Sequence, residues 1–120
     1  MEDMKLLLVD DNDKMRTIMR TIYSPHFEEV IECKDGNEAV SEFTRVQPDW
    51  VVMDIKMNEM DGITATTKII SSYPNARIII VSQFNDAMTI DSAMNAGAIE
   101  FVNKENLYRV IEVINNNKME

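Results

Sequence analysis

Five short apolar stretches along the chain predict the strands of a sheet. Three of them, at residues 6–9, 50–53 and 78–81, contain no polar residue. A continuous apolar run of this length is typical of a strand that is buried on both faces, as in a parallel sheet. The stretches at 29–33 and 99–102 contain glutamate, and the first of these two alternates as an edge strand does.

Between these strands, apolar residues recur with the period of an amphipathic helix. In the first interval Met15, Ile18, Met19 and Ile22 fall three or four positions apart, and we expect Asp13 to cap this helix. Four further helices are predicted, with a capping box at 35–38, a helix over 64–72, a cap at Asn85 or Asp86 and a closing Gly97. Their expected core-facing residues are Ala39, Val40 and Phe43, then Ala87, Ile90, Ala93 and Met94, and finally Leu107, Val110, Ile111 and Ile114.

The regular alternation of strands and helices predicts an α/β fold. Parallel strands joined by helical crossovers need helices on both faces of the sheet, because the crossovers are right-handed. The predicted fold is therefore a doubly wound, five-stranded parallel sheet, and its common strand order is 2-1-3-4-5. The length of 120 residues suits one domain, which we expect to span 1–120.

Polar side chains gather at the carboxyl ends of these strands. Asp10 and Asp11 follow the first strand directly, and Asp54 ends the third. The strand order makes these two strands neighbours, so we expect the three carboxylates to meet at one edge of the sheet. Ser82 ends the fourth strand and Lys104 lies just beyond the fifth, which places both beside the acids.

This set of residues predicts a site for a divalent cation and a phosphoryl group. Three neighbouring carboxylates repel one another, and Mg²⁺, which prefers oxygen ligands, would compensate their charge. A carboxylate such as Asp54 can also attack phosphorus and form an aspartyl phosphate. Lys104 would then supply a positive charge to one phosphoryl oxygen, and Ser82 a hydroxyl donor to another.

The composition of the chain excludes further classes of function. Lys and Arg number 12 against 21 Asp and Glu, which gives a net charge of −9. This balance argues against nucleic-acid binding by this domain itself, because phosphate contacts need basic side chains. The single cysteine, Cys33, fits a reducing compartment. Residues 1–5 resemble neither a signal peptide nor a membrane anchor, so we expect a cytoplasmic protein without membrane contact.

Several motifs occur together and in a fixed order. They are Val9-Asp10-Asp11, Met53-Asp54-Ile55-Lys56-Met57 followed by Met60-Asp61-Gly62, Val81-Ser82, Ala96-Gly97-Ala98, and Lys104. With these motifs the chain resembles the receiver domain of two-component response regulators, which has a flavodoxin-like (CheY-like) fold. Lys104 followed by Glu105 is most similar to receivers of LuxR-type regulators.

The resemblance implies a phosphorylation-driven switch. Asp54 would accept a phosphoryl group from a sensor histidine kinase or a phosphotransfer protein. Asp11 and Asp54 would bind Mg²⁺ through their side chains, Asp10 through water and Lys56 through its carbonyl. The downstream partner would be an effector protein, or a DNA-binding output domain that has been removed from this chain.

The family's switch also gives roles to Ser82 and Phe101. Ser82 would turn towards the phosphoryl group and Phe101 would pack inward, and together they would shift the surface formed by the fourth helix, fifth strand and fifth helix. Phe101 stands where the family often has tyrosine. Glu105 stands where many members have proline, and a cis bond before a non-proline residue costs about 2.5–4 kcal/mol.

Lys56 and Phe84 are expected to control the lifetime of an aspartyl phosphate. They stand two residues beyond Asp54 and Ser82, in loops at the same edge of the sheet. Neither side chain is suited to orient a water molecule towards phosphorus. We therefore predict slow self-dephosphorylation, and no enzymatic activity beyond the domain's own phosphoryl transfer.

Three other functions compete with this hypothesis. A pseudo-receiver would keep the fold as a protein-binding module without phosphorylation, but the acidic, hydroxyl and lysine positions are all intact. A phosphatase of the haloacid dehalogenase type needs a second aspartate two residues after its nucleophile, where this chain has Lys56. A flavin carrier needs a phosphate loop rich in Ser, Thr or Gly after the first strand, which is absent from the sequence.

Overall fold

A computed structural model describes residues 3–117 of the chain. The strands are β1 (Lys5–Val9), β2 (Glu29–Cys33), β3 (Trp50–Asp54), β4 (Ile78–Ser82) and β5 (Glu100–Asn103). The helices are α1 (Asp13–Tyr23), α2 (Gly36–Val46), α3 (Gly62–Ser72), α4 (Ala87–Asn95) and α5 (Arg109–Asn116), with short 3₁₀ turns at Ser24–His26 and Lys104–Asn106.

The five strands form one parallel sheet in the order β2-β1-β3-β4-β5, which confirms the predicted fold. Val9 pairs with Met53, and Asp54 pairs with Val81. Ser82 in turn pairs with Asn103. This register aligns the carboxyl ends of β1, β3, β4 and β5, so the residues that end these strands share one edge.

The core has two layers, one on each face of the sheet. Alternate residues of each central strand point to opposite faces, so Leu6 and Leu8 pack with the layer of α1 and α5, while Leu7 and Val9 pack with that of α2 and α3. All four side chains are buried, as the uninterrupted apolar run predicts. Each contributes about 1.5–3 kcal/mol through burial. None of the helices within residues 3–117 is long and apolar enough to cross a membrane.

Side-chain caps start four of the five α-helices. Asp35, Asp61 and Asp86 each accept a hydrogen bond from a backbone N–H in the first turn of α2, α3 and α4. The cap at Asp61 begins α3 two residues before the predicted start. The predicted cap of α1 at Asp13 is wrong, because Asn12 Oδ1 accepts from the N–H of Met15 at 2.8 Å.

Two predicted core faces are partly wrong. On α1, Ile18 is 49% exposed, and Tyr23 is buried instead, with its hydroxyl donating to the carbonyl of Leu107 at 2.8 Å. Ile18 lies at the margin of the apolar stripe, and the rotation of the helix turns it to solvent. On α4, Ala87 and Met94 are exposed. Ala93 is the only buried residue of that helix, so α4 packs through a narrow contact.

Cys33 should be chemically inert in the folded protein. Its side chain is buried at the end of β2, and burial raises the pKa of its thiol to about 12. Because the thiolate is the reactive form, alkylation by iodoacetamide at mildly alkaline pH should be about a hundredfold slower in the native protein than in urea. Mass spectrometry would measure both rates. Equal rates would contradict the buried position of this thiol.

Candidate functional site

Three carboxylates converge at the aligned strand ends. Asp10 follows β1 and is fully buried, whereas Asp54 ends β3 and is 6% exposed. Asp11 is half-buried beside them. One oxygen from each of the three carboxylates lies within 4.8 Å of the others. The strand register thus produces the acidic cluster that the sequence predicts.

Lys104 reaches this cluster from the end of β5. Its Nζ lies 3.0 Å from Asp10 Oδ2 and 3.1 Å from Asp54 Oδ1. The side chain is mostly buried, with its ammonium between the two acids. The peptide bond between Lys104 and Glu105 is trans. One ammonium group therefore faces three carboxylates, which leaves negative charge uncompensated.

The titration of Asp54 reflects this imbalance. Burial, followed by the nearby charge of Asp10, raises the pKa of Asp54 to about 6, although Lys104 opposes the change. Burial works to lower the pKa of Lys104, but the charges of Asp54 and Asp10 outweigh it and raise that pKa. The arrangement retains an excess of negative charge in a place of restricted solvation, and a divalent cation would relieve it.

The donor set also fits a hard cation. All three residues offer carboxylate oxygens, the ligand type that Mg²⁺ prefers. Asp10 Oδ2 is buried, and Lys104 Nζ at 3.0 Å is the one polar group among residues 3–117 that pairs with it. An oxygen in this state can accept a further contact from a metal-bound water.

A cavity of about 270 Å³ opens over the cluster. It brings together seven of the eight residues proposed from the sequence, namely Asp10, Asp11, Asp54, Lys56, Ser82, Phe84 and Lys104. The eighth, Phe101, does not line the cavity; it is half-buried on β5 and packs against the core layer of α2 and α3. Sequence analysis missed Asn12, Met15 and Gln83, which also line the cavity.

The missed lining residues carried only weak signals. Asn12 and Gln83 follow directly after Asp11 and Ser82. Only this position beside predicted site residues indicates that they line the cavity. Met15 is predicted on the core face of α1, where it does pack in part. A side chain at the end of such a face can serve both the core and the cavity.

Two side chains meet across the mouth of the cavity. Lys56 Nζ lies 5.1 Å from the centroid of the Phe84 ring, in a cation–π contact. The N–H of Phe84 donates to Ser82 Oγ at 2.9 Å, which holds the loop after β4 in place. The sequence placed Lys56 and Phe84 at the same edge, but it did not predict that they touch.

Gly62 allows the loop after Asp54 to close tightly. Its N–H donates to the carbonyl of Ile55 at 2.8 Å. A Cβ at this position would overlap the carbonyl oxygen of Asp54. Any larger residue would therefore push against the backbone that carries the Asp54 side chain.

A comparison with known protein families matches residues 6–115 to the response regulator receiver domain. The chain belongs to this family. The receiver is 40% identical over 113 residues to the chemotaxis protein CheY of Bacillus subtilis, covering 92% of this chain and 94% of that protein. Receiver domains of response regulators are signalling switches rather than classical enzymes, and they bind Mg²⁺ at an acidic pocket.

Solved structures similar to this receiver include a CheX–CheY complex and a LuxR-family regulator. The CheX–CheY–BeF3–Mg²⁺ complex from Borrelia burgdorferi has a TM-score of 0.84 and 28% identity, covering 92% of this chain and 89% of the matched chain. A LuxR-family two-component response regulator from Aurantimonas has a TM-score of 0.85 and 29% identity, covering 94% and 85%. The similarity to LuxR-type regulators that Lys104-Glu105 indicates is thus accompanied by similarity to CheY.

Removing the charge of Asp54 should stabilise the receiver. Its pKa is 3.8 in an ordinary environment and about 6 here, so the folded state loses stability as pH rises through that window. In EDTA at neutral pH, Asp54→Asn should raise the free energy of unfolding by about 1–3 kcal/mol. The gain should shrink as the pH falls from about 6 to 3.8, and it should be absent below 3.8, where Asp54 is protonated in both the folded and the unfolded wild type.

Urea denaturation across this pH range would measure the effect. Asp91→Asn is the matched control, because Asp91 is exposed on α4 and should change stability little. A destabilised Asp54→Asn protein at neutral pH would contradict the excess of buried negative charge.

Proposed function

We propose that this receiver is switched by phosphorylation of Asp54, with Mg²⁺ as its cofactor. The donor is a phosphohistidine on a sensor histidine kinase or a phosphotransfer protein. The proposal rests chiefly on Lys104, whose ammonium lies within 3.1 Å of both Asp10 and Asp54. At this position the ammonium could neutralise negative charge on an incoming phosphoryl group.

The transfer itself needs few groups. An oxygen of Asp54 forms a bond to phosphorus while the bond between phosphorus and the imidazole nitrogen breaks, and that nitrogen keeps the electron pair. Lys104 compensates charge on one phosphoryl oxygen. Ser82 Oγ already accepts a hydrogen bond from Phe84 and retains its own proton, which it can donate to another oxygen.

Asp11 and Asp54 would bind the cation through their side chains, Asp10 through water and Lys56 through its carbonyl. Mg²⁺, when bound, neutralises part of the charge on the carboxylates and the phosphoryl oxygens. Support comes from the similar CheY of Borrelia burgdorferi, whose solved complex includes Mg²⁺ and BeF3. Wild-type protein should therefore be stabilised by Mg²⁺, and the gain in the free energy of unfolding should grow with the logarithm of the Mg²⁺ concentration once that concentration exceeds the dissociation constant.

Phosphorylation would change the surface formed by α4, β5 and α5. Met88 is 80% exposed, and Phe84 and Tyr108 are also large exposed apolar side chains in this region. Phe101 is half-buried on β5 and would pack further inward as Ser82 moves. An effector protein or a DNA-binding output domain would contact the altered surface. Response regulators are usually cytoplasmic, and we expect the same location for this protein.

The pseudo-receiver hypothesis is not favoured. A module that only binds proteins has no need for a mostly buried lysine between two buried acids. Such a cluster costs stability, as buried charges do unless they are well paired. The presence of this cluster therefore favours phosphoryl transfer at the site over protein binding alone.

Phosphorylation should occur at Asp54 alone. Acetyl phosphate with Mg²⁺ should add one phosphoryl group, seen by intact mass, and site mapping should place it on Asp54. Asp54→Asn should remain unlabelled, while the exposed control Asp91→Asn should label as wild type does. Label on the Asp54→Asn protein would overturn the assignment of the phosphoacceptor.

The phosphorylated state should be long-lived, because Lys56 and Phe84 close the approach of water. Lys56→Asn and Phe84→Ser should each speed the decay of labelled protein about tenfold, a barrier change of about 1.4 kcal/mol. Since the two side chains touch, the acceleration of decay in the double variant should be smaller than the product of the accelerations in the two single variants. Decay no faster than wild type in both single variants would contradict the shielding role.

A further inference from the structure

Arg16 makes an unusually complete set of polar contacts just behind the site. Its Nη1 donates to the backbone carbonyl of Asp10 at 2.6 Å, and its Nε donates to Glu32 Oε1 at 2.8 Å. Nη2 donates to Asp13 Oδ1 at 2.7 Å. The side chain is only 12% exposed. One guanidinium therefore joins the end of β1, strand β2 and the first turn of α1.

The contact with Asp10 completes the fixing of that residue. The N–H of Asp10 donates to the carbonyl of Cys33 at 3.1 Å. Its Oδ1 accepts from the N–H of Asn12 at 2.9 Å, and its Oδ2 pairs with Lys104. Arg16 holds the one remaining polar atom, the carbonyl oxygen. Because a peptide unit is planar, this bond also fixes the plane that joins Asp10 to Asp11.

Glu32 holds Arg16 in turn. Its second oxygen accepts from Arg20 Nη1 at 2.6 Å, so both carboxylate oxygens are engaged. Three acceptors in three directions suit the rigid fork of a guanidinium, whereas the ammonium of a lysine cannot reproduce that geometry. Arg20 shares the carboxylate of Glu32 but has no contact with Asp10, which makes it a natural control.

We propose that Arg16 is a positioning residue for the acidic pair. By holding the Asp10 carbonyl, it fixes the peptide plane between Asp10 and Asp11, and so the direction in which the Asp11 carboxylate meets a divalent cation. Arg16 itself touches neither the cation nor the phosphoryl group. This inference rests on the proposed function of the site as a Mg²⁺-dependent phosphoryl acceptor.

The test compares Arg16→Met and Arg16→Lys with Arg20→Met. Calorimetry would give the Mg²⁺ dissociation constant of each protein, and amide hydrogen exchange in EDTA would report on the Asn12 N–H. Arg16→Met should weaken Mg²⁺ binding about tenfold, as loss of a group that orients a metal ligand does, and should speed exchange at Asn12. Arg16→Lys should behave like Arg16→Met, whereas Arg20→Met should leave both readouts near wild type.

Wild-type Mg²⁺ affinity and wild-type exchange in Arg16→Met would overturn the inference. Equal weakening by Arg20→Met would also overturn it, because the effect would then belong to the ion-pair network as a whole. If wild type binds no Mg²⁺, the proposed function fails, and exchange at Asn12 in the metal-free proteins still tests the positioning. If Arg16→Met does not fold, Glu32→Gln loosens the same guanidinium and is judged by the same two measurements.

Discussion

The ammonium of Lys104, held between Asp10 and Asp54, is the contact on which this site depends. Each buried ion costs several kcal/mol in lost hydration, and an opposite charge close by offsets part of that cost. Without Lys104 the carboxylates would be buried together unpaired. With it, the cluster still carries excess negative charge, and burial together with Asp10 keeps the pKa of Asp54 near 6. The site is thus stable enough to fold and charged enough to attract a cation.

Much of this arrangement could be predicted because it follows from the topology. Uninterrupted apolar runs identify β1, β3 and β4, and right-handed crossovers then limit the strand order to few choices. Once β1 and β3 are neighbours, Asp10, Asp11 and Asp54 must meet at one edge. The donor of the phosphoryl group and the role of Phe101 do not follow from the topology; the family resemblance supplied those hypotheses.

The contacts that escaped prediction depend on side-chain conformation and on the rotation of helices. Asn12 and Asp13 are equally good caps by type, so only the backbone decides between them. Ile18 has the correct spacing for the core but lies at the margin of the apolar stripe. Arg16 and the contact between Lys56 and Phe84 involve long, flexible side chains, whose direction a periodic pattern does not specify. Errors of this kind leave the fold intact and concern the details that tune the site.

Fluorine NMR of the receiver with beryllofluoride tests the central claim most directly. Beryllofluoride mimics a phosphoryl group and reports binding without a kinase or a chemical donor. We predict protein-bound fluorine signals that require both Mg²⁺ and Asp54, and that weaken strongly in Lys104→Met. Bound signals that persist in Asp54→Asn, or their absence from wild type at saturating Mg²⁺ and beryllofluoride, would contradict the account of this site.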